Sequence, residues 1–177
     1  WGRAGGRGNV PPRSSGWVDP LAPSPLSQSD VKITKGLADD SPARHIRHEV
    51  FELEQRIPDG FDETDGIALH AVLYLDGEAV ACARGFLEDA DRDDNAWHLG
   101  RFAVLKPHRR QGLGSLVLKA LEEAAQARGA QGFVLDAQLH AEPFYRAHGY
   151  LTVTEVYEIC GYPHVTMRKA LNGSHAP

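Results

Sequence analysis

The sequence predicts a mixed α/β (α+β) domain, a mostly antiparallel sheet that holds one parallel pair of strands and is flanked by helices. Three observations lead there. Two strand-like runs, residues 68–75 and 78–86, are separated by Asp76-Gly77, the strongest short hairpin signal, so they are antiparallel neighbours. An apolar run over 99–105 is followed by a stretch with helical period and then by a second apolar run over 132–137, and strands joined in this way lie parallel. The alternating runs 150–158 and 165–168 then form a terminal hairpin.

Taken in order, residues 1–29 hold five of the eleven prolines and five of the eighteen glycines, with few aliphatic side chains. Such a segment cannot bury enough surface to offset the entropy of ordering, so disorder is expected there. The domain is expected over 30–172, with a short tail at 173–177. Val31-Lys-Ile-Thr34 alternates like a first strand. Ser41-Pro42 is an N-cap followed by proline at the first helical position, and Ile46, Val50 and Leu53 repeat on one face, which predicts a helix over 42–55. The turn cluster Ile57-Pro58-Asp59-Gly60 ends it.

After the central strand, Leu113, Leu116, Val117, Ala120, Leu121 and Ala124 make one apolar helical face, and Gly129 supplies a left-handed stop. Pro143 opens a short helix over 144–147 that Gly149 closes. The resulting order is β-α-β-β-β-α-β-α-β-β.

Composition removes several classes of function. A net charge of -5 leaves no basic footprint for nucleic acid. No run of 18 apolar residues is present, so no membrane-spanning segment is expected. Cys82 and Cys160, only two and far apart in apolar surroundings, read as reduced, packed thiols, which points to the cytoplasm. The acidic stretch 88–95 imitates the start of a calcium loop. That loop fails at Asp94, where glycine is required, and at Gly100, where a glutamate is required, so no metal is expected.

The residues between the central strand and its helix carry the chemistry. Gly112 and Gly114 put no side chain over the first-turn N–H groups, at the positive end of the helix dipole, and Arg109 and Arg110 stand beside them. The run is neither a Walker loop nor a dinucleotide fingerprint. By itself it reads as an anion site or as a capped surface helix with two solvated arginines.

Arg109-x-x-Gly112-x-Gly114, leaving a strand that reads Phe-Ala-Val, resembles the acetyl-CoA pyrophosphate loop of the GNAT superfamily of N-acetyltransferases, and the order of elements over 31–171 resembles theirs. Residues 50–55 with Ile57-Pro58, 137–145 with His148-Gly-Tyr150, and Glu155-Val-Tyr157 with Pro163-His-Val-Thr-Met167 are similar to the ElaA-like branch, near the glyphosate N-acetyltransferase-like enzymes. The resemblance implies acetyl-CoA as cosubstrate, with its pyrophosphate on Arg109, Arg110, Gln111, Gly112, Leu113, Gly114 and Ser115. It implies a bulged strand whose main chain at Phe102, Ala103 and Val104 meets the pantetheine arm and stabilises the oxyanion. Gln138 stands where many members carry an asparagine.

Acetyl transfer needs a neutral amine, a stabilised oxyanion and a proton for the departing thiolate. By the resemblance, Tyr145 is the acid beside the sulfur and His164 the base; unperturbed imidazole titrates near pH 6.5, which suits that task. Read from the residues alone, Tyr145 is also a core tyrosine packed beside Phe144, and His164 one of nine histidines. Arg47, Arg84 and Arg101 are candidates to pair with a carboxylate or phosphate on the acceptor, or to be salt-bridged structure. Glu52, Glu54, Asp62, Glu63 and Asp65 argue instead for a cationic amine or a protein lysine. The expected function is direct transfer, in a ternary complex, of an acetyl group to a primary amine of a small molecule, by a monomer or homodimer. Acetylation of protein lysines or N-termini, and non-catalytic binding of acetyl-CoA, are the alternatives.

Overall fold

The structure, a computed structural model, describes residues 28–58, 60–88 and 95–171. The expected disordered segment lies outside the described residues except for its last two, and so do residues 89–94 of the acidic stretch and residues 172–177, which include the expected tail.

Strand β1 (Ser29–Lys35) leads to α1 (Pro42–Arg47), whose N-cap Ser41 accepts from the Ala43 amide, and α1 continues as a π-helical segment over His48–Glu54. A four-residue helix, α2 (Thr64–Ile67), precedes the hairpin of β2 (Leu69–Leu75) and β3 (Glu78–Leu87). Asp76 and Gly77 both take positive φ, as a tight two-residue hairpin turn requires. Strand β4 (Ala96–Val104) runs into helix α3 (Leu113–Gln126), and β5 (Gly132–Gln138) into α4 (Glu142–Ala147). Strands β6 (Leu151–Thr152), β7 (Tyr157–Ile159) and β8 (Tyr162–Ala170) complete the order.

The eight strands form one sheet in the order β1-β2-β3-β4-β5-β8-β6, with β7 also on β8. Only β4 and β5 run parallel, and their pairing is confined to Ala96↔Gly132, Trp97↔Phe133 and His98↔Val134. Beyond that rung β4 stays on β3 and β5 stays on β8, so the two strands part and leave a wedge.

Helix α3 covers one face of the sheet. It lies on strands β1 to β4 with Leu113, Val117, Leu118, Leu121 and Ala125 buried, while Leu116 is exposed, so the buried stripe lies slightly round the helix from the expected one. Gly85 on β3 permits this approach, because a Cβ there would lie 2.9 Å from Leu99 Cδ2 and 3.3 Å from Leu121 Cδ1. Helix α1 and its π-helical continuation pack Ala43, Ile46 and Val50 on the opposite face, over Val72, Cys82 and Ala103.

Three expectations are corrected. The run 150–158 is not one strand: β6 and β7 are separate short strands that pair with different parts of β8. Helix 42–55 has the expected span, but its second half closes i to i+5 bonds such as Gln55 N–H to Val50 C=O, a wider turn that period-counting misses. Cys82 is buried, whereas Cys160 is exposed, at positive φ in the Cys160-Gly161 turn between β7 and β8.

Candidate active site

The wedge between β4 and β5 is a cleft of about 340 Å³. Three strands supply much of its polar lining, His98 and Arg101 from β4, Asp136 and Gln138 from β5, and His164 from β8, and His140 adds to it from the turn after β5. Period-two alternation explains the grouping. Leu135 and Ala137 turn into the core under α3, so Asp136 and Gln138 face the other way, opposite Thr166 and His164 in the register. Phe51, Gln55, Ile57 and Pro58 form one wall and the hairpin residues Ile159 and Cys160 another. Two bonds tie these parts together: Tyr162 O–H donates to Gln55 C=O (2.7 Å) and Gln138 Nε2 to Gln55 Oε1 (3.1 Å).

Strand β4 is bulged where the cleft opens. Cys82 pairs with Ala103 but Arg84 pairs with Gly100, so Ala83 faces both Arg101 and Phe102. Arg101 takes φ +53, a conformation that costs a residue with a Cβ. The bulge turns Arg101 toward the side of α2, where its guanidinium lies 3.9 Å from Asp62. The next ring, Phe102, meets Tyr145 edge-on at 5.6 Å.

Tyr145 lines the cleft from α4 and is held edge-on among Phe102, Phe144 and Tyr150. Its hydroxyl has no hydrogen-bond partner among the described residues. Burial pushes the phenol well above its ordinary range, so it keeps its proton at every working pH. His164 is buried, and its Nδ1 lies 2.7 Å from the Tyr162 carbonyl oxygen. A carbonyl only accepts, so Nδ1 carries the hydrogen and Nε2 of the neutral ring keeps the lone pair.

The loop before α3 has the geometry of an anion cradle. Gly112 is the N-cap at φ +78, no side chain caps the helix, and the space a Cβ would enter there is open. The amides of Leu113, Gly114 and Ser115 belong to the first turn, where no intrahelical acceptor exists. Arg110 is exposed at φ +60 beside them, and Gln111 reaches the Pro107 carbonyl at 3.4 Å.

Other expected site residues are placed elsewhere. Arg109 is tied down: Nε donates to the Val104 carbonyl (2.9 Å), and both terminal nitrogens bond Glu54 at 2.6 Å, which holds the Glu54 carboxyl below its usual range. It braces the loop against the π-helical segment instead of standing open to an anion. Arg47 and Arg84 do not line the cleft; both are buried on Asp65, each with a 2.8 Å bond to Oδ1, and Arg84 also bonds Asp62 at 2.8 Å. Burial opposes ionisation of Asp65, but the two guanidiniums outweigh it and hold the carboxyl far below its usual range. His70, 3.0 Å from the Asp65 carbonyl, is pushed down by burial and stays neutral. Of the five acidic residues that argued for a cationic acceptor, Glu54, Asp62 and Asp65 are therefore engaged by arginines. Ala103 is buried under α1, so at that position only main chain can serve a ligand.

A model for the acetyltransferase (GNAT) domain matches residues 39–171. The chain belongs to the GNAT acetyltransferase family. It is 39% identical over 130 residues to the N-acetyltransferase YjcF of Bacillus subtilis, covering 72% of this chain and 89% of that one. The protein ElaA of Escherichia coli is 34% identical over 129 residues, covering 70% of this chain and 82% of its own. The crystal structure of ElaA superposes with a TM-score of 0.70 over 80% of this chain and 99% of that one. An acyl-CoA N-acyltransferase from Pseudomonas aeruginosa, 30% identical, gives 0.68 over 81% of this chain and all of its own, 100%.

As a GNAT acetyltransferase, the protein carries out acetyl-CoA-dependent N-acetylation. Among its described residues no group of three or more His, Cys, Asp or Glu is placed to hold a metal ion, and no helix is long and apolar enough to cross a membrane. Several polar cleft residues, among them Asp136, His98, His140 and Gln55, are not among the expected site residues. Asp136 was visible as the one charge in an apolar strand, and His98 as a histidine on the central strand, but neither belongs to a motif.

Proposed function

We propose that this enzyme transfers the acetyl group directly to the primary amine of a small molecule bound together with acetyl-CoA. The observation that carries the reading is the convergence of Tyr145, His164 and the bulged main chain of β4 on one cleft. Its volume lies at the low end of small-molecule sites, and the Gln55 bonds to Gln138 and Tyr162 join its walls, which favours a compact acceptor over a polypeptide.

The residues present fit acetyl-CoA. The N-terminus of α3, with open space above Gly112 and with Arg110 beside it, suits a pyrophosphate, and the bulged edge of β4 suits the pantetheine amides. Arg109 supports that cradle through Glu54 and Val104 instead of touching the ligand. Acetyl-CoA supplies an activated acyl carbon. His164 Nε2 accepts the proton that the amine sheds as its nitrogen bonds to that carbon, and a main-chain N–H of residues 102–104 stabilises the oxyanion. Tyr145 O–H then donates to the sulfur as the carbon–sulfur bond breaks. Its raised pKa makes a strong hydrogen bond to the thiolate easier than complete proton transfer.

No second copy of the chain is needed to complete this site, so a monomer or a homodimer serves equally. Two free cysteines suit the reducing cytoplasm as its working compartment. Initial-velocity kinetics test the proposal: intersecting double-reciprocal lines with varied acetyl-CoA and amine are expected, with no acetyl group left on the protein by acetyl-CoA alone. Parallel lines with acetylated Cys160, the exposed thiol in the cleft, would contradict it.

A further inference from the structure

The imidazole of His164 is fixed at one atom, Nδ1, by the Tyr162 carbonyl. One hydrogen bond sets the tautomer but lets the ring tilt about it, so the direction of Nε2 needs a second contact. Tyr157 supplies that contact. It is the cross-strand partner of His164 on β7, on the side away from Gln138, the partner of His164 on β5. The two rings lie nearly parallel, with 26° between their planes and centroids 6.3 Å apart.

Strand β7 alone holds that ring weakly. It has three rungs, all on β8, and the middle one faces Pro163, which has no N–H to donate. The Tyr157 hydroxyl adds the missing anchor. The side chain runs along β8 from the row of His164 to the next row on the same face, where its oxygen lies 2.5 Å from Asp136 Oδ1 and 2.8 Å from Thr166 Oγ1. Thr166 donates to the same Asp136 oxygen at 2.9 Å. Each hydroxyl has one hydrogen and both give it to Asp136, so the carboxylate is the acceptor that closes the triangle. We infer that Tyr157 and Asp136 are the positioning residues of the base: Asp136 holds the Tyr157 hydroxyl, and the held ring keeps His164 Nε2 directed into the cleft. This rests on the reading of His164 as the base.

The triangle stands apart from the core. Its neighbours on β5, Leu135 and Ala137, are buried under α3 on the other face, while the Asp136 side chain is 35% exposed on the cleft face. Partly exposed polar contacts of this kind add little to stability, so their loss moves the base more than it weakens the fold. The second Asp136 oxygen faces His98 Nε2 from β4 at 3.7 Å, and the His98 ring is stacked on Phe86 at 5.4 Å, so His98 flanks the triangle without taking its shared oxygen.

Substitutions in the whole enzyme test this, read by kcat, by the KM for acetyl-CoA and by the nitrogen NMR resonances of the His164 ring. Tyr157→Phe keeps the ring and removes the hydroxyl; it should lower kcat about tenfold with the KM for acetyl-CoA unchanged. Its His164 resonances should change from those of one tautomer, with hydrogen on Nδ1, to an average of both. Asp136→Ala should act in the same direction but less, since Thr166 remains a partner for the hydroxyl, and Asp136→Asn, which keeps an accepting oxygen there, should recover most of that loss. In a His164→Gln background Tyr157→Phe should cost nothing further, because it acts only through the imidazole. A Tyr157→Phe enzyme of wild-type kcat, or one whose loss multiplies that of His164→Gln, overturns the inference and leaves the base in place. A fully active His164→Gln enzyme overturns the base instead, and the His164 resonances, recorded without any acceptor, then decide alone whether Tyr157 and Asp136 fix the ring.

Discussion

Asp65→Ala is the perturbation whose consequence the structure defines most sharply. The wild-type carboxylate binds Arg47 and Arg84, whose side chains are only 1% and 7% exposed, and it is itself buried. Removing it deprives Arg47 and Arg84 of their shared carboxylate in a site that water barely reaches, while Arg84 keeps Asp62 at 2.8 Å. Breaking a buried pair from one side costs about 3–5 kcal/mol. For a domain of this size, ~2–4 °C of melting temperature corresponds to each kcal/mol, so a fall of about 6–20 °C is expected. Urea unfolding should show the same loss as a lower midpoint at constant slope.

The sign of the pH dependence follows from the same contacts. Because the folded carboxyl titrates below its unfolded value of about 3.9, its stabilisation is complete above that pH. It is lost progressively as pH falls from there to the folded value, so Asp65→Asn should flatten the acid limb of the stability curve. A variant as stable as wild type, with an unchanged acid limb, would refute the reasoning.

Further outcomes concern the cofactor loop and the cleft. Acetyl-CoA at 100 times its Kd should add about 2.7 kcal/mol of stability, hence ~5–11 °C, with a smaller shift from pantetheine. Gly112→Asp should abolish that shift by placing a carboxylate in the cradle, and a full shift in the variant would locate the anchor elsewhere. Glu54→Ala should raise the KM for acetyl-CoA by up to about fivefold, with the acceptor KM unchanged, since a partly exposed ion pair is worth at most ~1 kcal/mol; steady-state kinetics with each substrate varied decide it. Tyr145→Phe should lower kcat about 10²-fold or more with little change in the KM for acetyl-CoA, and a normal kcat would remove Tyr145 from the chemistry.

Local chemistry was legible in the sequence wherever it alone decides the structure. Asp76-Gly77 makes a hairpin because both residues tolerate positive φ, and the apolar period over 113–126 makes a helix that covers the sheet. The parallel pair and the cleft beside it followed from one strand-helix-strand unit. What escaped depends on residues distant in the chain. Arg109 reads as an anion ligand until Glu54, 55 positions away, is found bonded to it. Arg47 and Arg84 read equally as acceptor ligands or as salt-bridged structure until Asp65 is found holding both inward. The Cys160-Gly161 turn was hidden because cysteine carries no turn signal, and it moved Cys160 from the core to the cleft wall.

We propose that His164 draws the proton from the acceptor amine, with Nδ1 fixed on the Tyr162 carbonyl and the lone pair on Nε2 to receive it. The pH dependence of kcat/KM for the amine, compared between wild type and His164→Gln, tests this most directly. The wild-type rate is expected to climb with pH as one group loses its proton, and the variant to be slowed about 10²–10⁴-fold and to lack this limb. A His164→Gln enzyme of full activity with an unchanged profile would contradict it.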